Sequence, residues 1–406
     1  MFRRFRVSLR PFVPSSLPYI IDTARFQCCH APVPESKDSN RSPALSALLC
    51  VDADALARLG SVLRHLLVGL VDQAVPIRVL SSSPGVERLS LPAVPLLTHP
   101  PLVWPLGSAR FRRLVEQLDP APPTVVIAAG HESYPLASML ALEFDVDFAV
   151  SVTSAADADS AGTIENPRID RVLVSSTPLQ SWVESRSKIP SERVRLVRPG
   201  LPASSKCAAY SQPHRTASIV CTTTFHRASG VGELISAADL LHRQGRDFML
   251  FLLGAGRLEA KLRTRVRERK LTSRVSFADP LSDPSAVLQN ADIFVAPAAE
   301  NAFAADSLQA MGLGCAVVAV KDDVNDHFID NETSFLCEQG DAKSFAEALD
   351  RLLTDRSAAQ SLAIRGMEYV RANHAVSVMA EKTAAALREL ALSQSTLSLS
   401  GPSTLA

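Results

Sequence analysis

The sequence predicts an α/β protein in which two doubly wound parallel sheets of the Rossmann type face each other across a cleft. Short apolar runs alternate with segments of helical periodicity, first over residues 45–201 and again over residues 218–375. The runs are apolar at nearly every position, which is typical of strands covered by helices on both faces. The polar segment at residues 202–217 separates the two series, so we expect it to link two domains. Facing domains of this kind bind ligands in the cleft between them, at the carboxyl ends of their strands.

Residues 1–44 are expected to precede the folded region. Residues 1–26 are rich in Arg and Ser and contain no acidic residue before Asp22, and residues 31–44 are polar and rich in Pro and Ser. This composition predicts a disordered extension and linker. It is also compatible with a segment that targets an organelle or lies on a membrane surface, and with a misplaced start codon.

The first domain begins with a β-α-β unit. The run LSALLCVD (45–52) predicts a buried strand, and PIRVLSSS, beginning at Pro76, predicts a second one. Between them, leucines recur at helical spacing, at positions 56, 59, 63, 66, 67 and 70. The alternation continues with four more strands, predicted at 123–130, in FAVSVTS, at 169–176 and at 192–200. Three helices are predicted among them, at 109–118 and in YPLASMLALEFD and PLQSWVESRSK.

The second domain repeats this alternation after the linker. Its strands are predicted in SIVCTTT, DFMLFLLGAG, RVSFADP, DIFVAPAAE and CAVVAVKDD, and the segment SFAEALDRLLTD predicts an amphipathic helix after them. Two further helices close the domain and the chain, the last of them at residues 376–392. The low-complexity residues 393–406 are predicted to be disordered.

Composition argues against two broad classes of protein. Lys plus Arg and Asp plus Glu number 42 each, and aromatic residues make up 5% of the chain, so nothing indicates a nucleic-acid partner. No apolar run approaches the roughly 18–20 residues that span a bilayer, so no transmembrane segment is expected. We therefore expect a cytoplasmic protein; the Arg-rich N terminus also allows peripheral contact at the inner membrane surface.

The seven cysteines are typical of a reduced, intracellular protein. Most lie inside apolar runs such as IVCTTT and GCAVVAV, where thiols are usually buried. Cys28, Cys29 and His30 form the one dense cluster in the sequence. No second pair completes a zinc site, so no metal centre is predicted.

The order and spacing of these segments resemble the GT-B glycosyltransferases, specifically the retaining glycosyltransferase family 4, or group 1. The resemblance covers roughly residues 45–392 and is clearest in DFMLFLLGAGRLEAKLRTRV, RVSFADPL, ADIFVAPAAENAFAADSLQAMGLGCAVVAV and DNETSFLCEQGDAKSFAEALDRLLTD. In the first half, IDRVLVSSTPLQSWVESRSKIPSERVRLVRPGL is similar to the last unit before the linker.

This resemblance implies a GT-B fold and a transferase that takes a sugar from a UDP- or GDP-type nucleotide sugar, with retention of configuration. It implies no cofactor besides this nucleotide-sugar co-substrate. The acceptor is left open among a glycan, a lipid and a small molecule. The final helix, 376–392, is expected to pack back on the first domain, as in this fold generally.

The resemblance also implies which residues bind the donor. A diphosphate needs cations or backbone N–H groups, and ribose and sugar hydroxyls need hydrogen-bond acceptors. Glu300 and Gln309 are expected to contact the donor, and Phe303 and the backbone near Ala304 to close over it. Gly254 and Gly256 match the family's glycine turn, and Arg227 and Ser229 lie in the loop where the family binds the diphosphate.

Several positions depart from the family pattern. Neutral Thr224 and Ser229 stand where Arg and Lys are expected, although His226 and Arg227 lie between them. Gln309 replaces the second acid and cannot make a charge-assisted bond, and it lies one residue too far from Glu300. Asp322 and Asp323 stand where the family has a glycine pair that approaches the donor; the alternative is that they are solvated turn residues. The glycines of the family's first loop are also absent until Gly60.

No catalytic base can be assigned from the sequence. The histidine that often follows a strand of the first domain falls near Thr153 and Ser154. His131 and Glu132, in AAGHES, follow a strand at its carboxyl end and are candidate catalytic residues together with Glu300. The alternative for His131 and Glu132 is a surface pair without a role in the reaction.

The departures leave other hypotheses open. The chain could be a GT-B-shaped binding or scaffold protein that has lost catalysis, or a sugar-nucleotide epimerase of the same fold. Binding of NAD is a weaker alternative, because Glu259 stands where the dinucleotide fingerprint requires a third glycine after Gly254 and Gly256.

Overall fold

The computed structural model describes residues 45–101, 107–164, 169–212, 214–227, 229–281 and 283–399. The predicted N-terminal extension, with Cys28, Cys29 and His30, lies outside the described residues, as do residues 400–406. The described residues form two α/β lobes, each built on one parallel sheet. The predicted fold class, two doubly wound parallel sheets, is confirmed.

The first lobe contains a seven-stranded sheet of order β3-β2-β1-β4-β5-β6-β7, with every neighbouring pair parallel. Its strands are β1 Ala47–Val51, β2 Ile77–Ser81, β3 Leu96–Thr98, β4 Val125–Ala129, β5 Asp147–Val152, β6 Arg171–Val174 and β7 Val194–Leu196. Its helices are α1 Ala53–Asp72, α2 Gly107–Leu118, α3 Tyr134–Glu143, α4 Ala155–Thr163 and α5 Thr177–Arg186. The short edge strand β3 is not among the strands that the sequence predicts.

The second lobe contains a six-stranded parallel sheet of order β10-β9-β8-β11-β12-β13. Its strands are β8 Ala217–Thr222, β9 Phe248–Leu253, β10 Val275–Ala278, β11 Ile293–Ala296, β12 Ala316–Val320 and β13 Ser334–Cys337. Its helices are α6 Val231–Arg243, α7 Glu259–Glu268, α8 Ser285–Leu288, α9 Ala305–Gly312, α10 Ala342–Thr354 and α11 Arg356–Asn373.

The last helix, α12, spans Val376–Leu399 and packs on α1 of the first lobe. The two helices approach so closely that a Cβ on Gly69 would lie 2.5 Å from the Cβ of Ala380. Arg388 donates to the carbonyl of Gln73 at 2.6 Å, and Glu389 pairs with Arg171 at 3.1 Å. The helix continues to Leu399, past residue 392, where the sequence predicts its end.

The two lobes meet at the carboxyl edges of their sheets. The Phe303 N–H donates to the carbonyl of Thr153 at 2.7 Å, and the Ala155 N–H donates to the carbonyl of Asn301 at 2.8 Å. Nearby, Arg198 donates to the carboxylate of Asp326 at 2.6 Å. The loops that follow β5 and β11 are therefore neighbours, which is the arrangement that a ligand site between two such sheets requires.

Candidate functional site

The loop between β11 and α9, residues 297–304, forms the centre of the junction. It begins beside Gly230, which has a φ of 68°. A Cβ atom at this position would lie 1.8 Å from the carbonyl oxygen of Pro297, so only glycine fits here. Its far end is held by Asn325, which accepts the Ala304 N–H at 2.8 Å and donates to the carbonyl of Ala302 at 2.9 Å. The loop is thus fixed at both ends.

Phe303 and Ala304, the two predicted donor contacts in this loop, are held by the protein itself. The ring of Phe303 is buried, with its centroid 5.3 Å from that of His327 and 6.3 Å from that of His374. The amide N–H groups of Phe303 and Ala304 donate to Thr153 and Asn325, respectively. In this structure both residues shape the loop that carries Glu300.

Glu300 lies on the exposed side of this loop, where the lobes meet. Burial by the surrounding protein raises the pKa of its carboxyl, although the side chain reaches solvent, and the charges of His226 and Arg58 partly offset this effect. Arg58 belongs to α1 of the first lobe and His226 to the second. Residues of both lobes therefore influence the carboxyl group of Glu300.

Gln309, the second predicted donor contact on this stretch, is buried in α9. Its Nε2 donates to Ser285 Oγ at 2.6 Å and to Asp283 Oδ1 at 3.2 Å. Its Oε1 is buried and has no hydrogen-bond partner in the described part of the chain. The amide nitrogen is occupied, so the side chain offers an incoming group one acceptor and no free donor.

Gly254 and Gly256, after β9, allow the loop that follows β8 to pack closely. A Cβ on Gly254 would lie 1.9 Å from the carbonyl oxygen of Thr223, and one on Gly256 would lie 2.4 Å from that of Phe225. The buried Ser229 donates its hydroxyl to the carbonyl of His226 at 2.9 Å, whereas Arg227 is exposed on the same loop. Of the predicted donor contacts Gly254, Gly256, Arg227 and Ser229, only Arg227 is charged, and its side chain is exposed.

The edge of the first lobe is organised by Asp52, which follows β1. One of its oxygens accepts the Ala55 N–H at 2.7 Å and so caps α1, and the other accepts the Glu132 N–H at 3.0 Å. Gly130 has a φ of 87°, and a Cβ there would lie 2.1 Å from Asp52 Oδ1. His131 and Glu132 are thereby fixed beside the N terminus of α1.

Asp157 is a buried member of the site that the sequence did not reveal. It accepts the His131 N–H at 3.0 Å and both the N–H and the hydroxyl of Thr153, at 3.0 and 2.9 Å. The ring nitrogen Nδ1 of His131 lies 3.5 Å from Asp157 Oδ1. The available signal was Ser154, three residues earlier, which caps α4 by accepting the Asp157 N–H at 3.1 Å.

Arg58 is a second unpredicted member. Its Nε donates to Asp54 one turn earlier in α1, at 2.7 Å, and its Nη2 lies 4.0 Å from Asp157 Oδ2. Its Nη1 is buried and has no hydrogen-bond partner among the residues that the structure describes. The spacing of Asp54 and Arg58, four residues apart on a predicted helix, was the only sequence signal.

Asp322 and Asp323, where the family carries glycines, are turn residues. Asp322 Oδ1 accepts the N–H groups of Val324 and Asn325 at 2.6 and 3.2 Å, which fixes the turn after β12. Burial raises the pKa of the Asp322 carboxyl. Its Oδ1 is therefore used by the turn itself.

Two kinds of feature are missing from the described residues. No group of three or more His, Cys, Asp or Glu side chains is placed to hold a metal ion within the described ranges. Among the helices of these same ranges, none is long and apolar enough to cross a bilayer.

Comparison with families and curated proteins points to one class. Residues 216–355 match the family model described as glycosyl transferases group 1. The chain is 28% identical over 176 residues to the amylovoran biosynthesis glycosyltransferase AmsK of Erwinia amylovora, covering 40% of this chain and 42% of that protein. It is 25% identical over 143 residues to the capsular polysaccharide biosynthesis glycosyltransferase CapM of Staphylococcus aureus, covering 35% and 38%. The matches thus span less than half the length of these relatives.

Solved structures resemble the chain over most of its length. Anabaena Alr3699/HepE in complex with UDP-glucose has a TM-score of 0.70 at 15% identity, covering 85% of this chain and all (100%) of that chain. The sucrose-phosphate synthase of Thermosynechococcus elongatus has a TM-score of 0.67 at 18% identity, covering 87% and 100%. The two-sheet architecture is therefore that of the GT-B fold, as predicted.

Proposed function

We propose that this chain, a GT-B protein whose second lobe is a group 1 glycosyl transferase domain, transfers a sugar from a nucleotide sugar to an acceptor hydroxyl. The donor is of the UDP or GDP type, and the anomeric configuration is retained. The named activities of AmsK and CapM and the UDP-glucose bound to Anabaena HepE support this proposal. The observation that carries it is the position of Glu300 at the junction of the lobes, on a loop whose residues Asn301 and Phe303 hydrogen-bond to the loop after β5 of the first lobe.

The donor would lie along the edge of the second lobe. Glu300 has a carboxylate available for sugar hydroxyls, and Gln309 offers its unpartnered Oε1 to a ribose hydroxyl. Arg227 is exposed on the loop after β8, where a cation can meet the diphosphate. Arg227 and Glu300 lie on the loops that follow the neighbouring strands β8 and β11, and Gln309 lies on the helix after β11. The carboxyl ends of such strands are where α/β sheets bind nucleotides.

The acceptor would enter from the first lobe. His131 is held at this edge through its backbone N–H, which donates to the buried carboxylate of Asp157 at 3.0 Å; its Nδ1 lies 3.5 Å from the same carboxylate, and Glu132 follows in the same turn. A histidine oriented in this way can accept or return a proton of an acceptor hydroxyl. A glycan, a lipid or a small molecule can supply that hydroxyl, and a lipid acceptor would bring the protein to the inner surface of a membrane.

Replacing Glu300 tests the proposed function. Hydrolysis of UDP-glucose, UDP-N-acetylglucosamine and GDP-mannose is measured for the wild type, for Glu300→Gln and for Glu347→Gln. Loss of a charge-assisted hydrogen bond of about 1.5–3 kcal/mol should lower the rate of Glu300→Gln by about 10- to 100-fold. The exposed Glu347 of α10, which is 68% exposed, serves as the matched control and should leave the rate unchanged.

Two results would count against the proposal. Hydrolysis of none of these donors by the wild type would favour a GT-B-shaped binding protein without catalysis. Equal rates for the wild type and Glu300→Gln would remove Glu300 from the donor site.

A further inference from the structure

The edge of the second lobe is short of the cations that a diphosphate requires. Thr224 and Ser229 are neutral, and Ser229 is buried and bonded to the carbonyl of His226. Two acids, Asp306 and Asp322, lie close enough to Glu300 to raise the pKa of its carboxyl. A ligand carrying two or more negative charges therefore needs a further cation at this junction.

The N terminus of α1 cannot meet this need with its backbone. Asp52 caps the helix and occupies the N–H of Ala55, and Asp54 adds a second carboxylate in the first turn. A helix N terminus attracts anions when its N–H groups are free, but here they face fixed negative charges. The first lobe instead offers the side chain of Arg58.

Arg58 is placed to serve both lobes. Its side chain is 16% exposed, its Nη2 lies 4.0 Å from Asp157 Oδ2 of its own lobe, and its charge influences the carboxyl group of Glu300 of the other lobe. Its Nη1 has no hydrogen-bond partner within the described residues, although the atom is buried. A buried guanidinium N–H without an acceptor is costly, so an anion that accepts from Nη1 would remove this cost.

We propose that Arg58 binds the diphosphate of the nucleotide sugar from the first lobe and adds a second cation to Arg227 of the second lobe. This assignment rests on the proposed function and adds the residue that recognises the leaving group. The planar guanidinium matches two phosphate oxygens at once, which an ammonium cannot do.

Binding exchanges the partner of Arg58. Asp54 is 49% exposed, so its bond to Arg58 is a surface ion pair of small net value. Asp157 does not compete for Arg58, because its oxygens already accept hydrogen bonds from His131 and Thr153. The diphosphate therefore displaces Asp54, and the donor is held by Arg58 on one lobe and Glu300 on the other.

The test compares UDP with uridine, which lacks the diphosphate. The affinity for UDP is measured by calorimetry, and the affinity for uridine is measured from its ability to displace UDP. Both are determined for the wild type, Arg58→Gln, Arg58→Lys, Asp54→Asn and the control Arg113→Gln. Arg113 is exposed on α2 and has no part in the junction. Arg58→Gln should bind UDP about 10- to 100-fold more weakly with unchanged affinity for uridine. The UDP affinity of Arg58→Lys should lie between those of the wild type and Arg58→Gln. Asp54→Asn should bind UDP about two- to fivefold more tightly than the wild type.

The outcomes separate this inference from the proposed function. If the wild type binds UDP and Arg58→Gln keeps the same ratio of UDP to uridine affinity, the role of Arg58 is wrong and the proposed function stands. If the wild type binds neither UDP nor GDP, both fail. An Asp54→Asn protein that binds UDP no more tightly than the wild type would contradict the exchange of partners. Should Arg58→Gln not fold, as judged by circular dichroism, the ratio for Arg58→Lys decides in its place.

Discussion

Lowering the pH from 7 to 4 is expected to remove about 3 kcal/mol of folding free energy through His374 alone. Burial lowers the pKa of this histidine from its ordinary 6.5 to about 4, and this difference corresponds to about 3 kcal/mol. Its neighbour His327 lies at a ring-centroid distance of 6.0 Å, and burial lowers the pKa of His327 further. Neither ring nitrogen of His327 has a hydrogen-bond partner in the described residues.

The sign of this effect follows from proton uptake. Between pH 6.5 and about 4 the unfolded chain protonates these histidines and the folded chain does not, so the unfolded state gains stability as the pH falls. The contribution is fully present above pH 6.5. Burial raises the pKa of Glu300 and Asp322, and this effect opposes the loss at low pH, so a comparison of variants is needed.

The variant His327→Phe removes the contribution of His327 to the pH dependence of the folding free energy. Phenylalanine keeps an aromatic ring beside Phe303 and Phe328 and removes two unpartnered nitrogens, so urea unfolding should show less loss of stability between pH 7 and pH 4 than in the wild type. The exposed His214, changed to Asn, is the control and should follow the wild type. Identical pH profiles for His327→Phe and the wild type would rule out a contribution of His327, and a wild type equally stable at pH 7 and pH 4 would contradict the effect assigned to His374.

Replacing Asp157 with Ala is expected to cost about 3–5 kcal/mol. The side chain is fully buried, and its loss would leave the N–H of His131 and both the N–H and the hydroxyl of Thr153 without their acceptor. Asp159, two residues later on α4, is exposed and accepts one bond from Trp182. Asp159→Ala is therefore a matched control and should cost no more than about 1 kcal/mol.

Urea unfolding at neutral pH measures both changes. A loss of less than about 1 kcal/mol for Asp157→Ala would mean that the carboxylate does not hold the ends of β4 and β5 together. In that case the orientation of His131 would also need another cause.

The sequence was sufficient for the architecture because that architecture depends on local patterns. Buried strands such as Val125–Ala129 and Ala316–Val320 are continuous apolar runs, and α1 carries leucines at helical spacing. The edge strand β3 was missed because it spans three partly buried or exposed residues, which is too short for a pattern. The full length of α12 was also missed, because its final residues are polar and of low complexity.

The site was predicted less completely because its contacts join segments far apart in the chain. Glu300 could be placed from the family pattern, but the influence of the Arg58 charge on its carboxyl group depends on how the lobes meet. The amide nitrogen of Gln309 donates to Asp283 and Ser285, at the start of α8. These residues lie outside the stretch 297–320 from which the role of Gln309 was predicted. Asp157 lies in an Ala-rich helix and no sequence pattern distinguishes it as a buried residue. Its burial and its hydrogen bonds with His131 and Thr153 become visible only in the structure.

Hydrogen exchange in the presence of UDP or GDP tests the central claim most directly. If the donor occupies the junction of the lobes, exchange should slow in residues 297–304 of the second lobe and in the first turns of α1. Both segments should respond to the same nucleotide, because one ligand would contact both lobes. Protection confined to another surface, such as the groove between Arg263 of α7 and Phe277 of β10, or no protection with either nucleotide, would contradict the account.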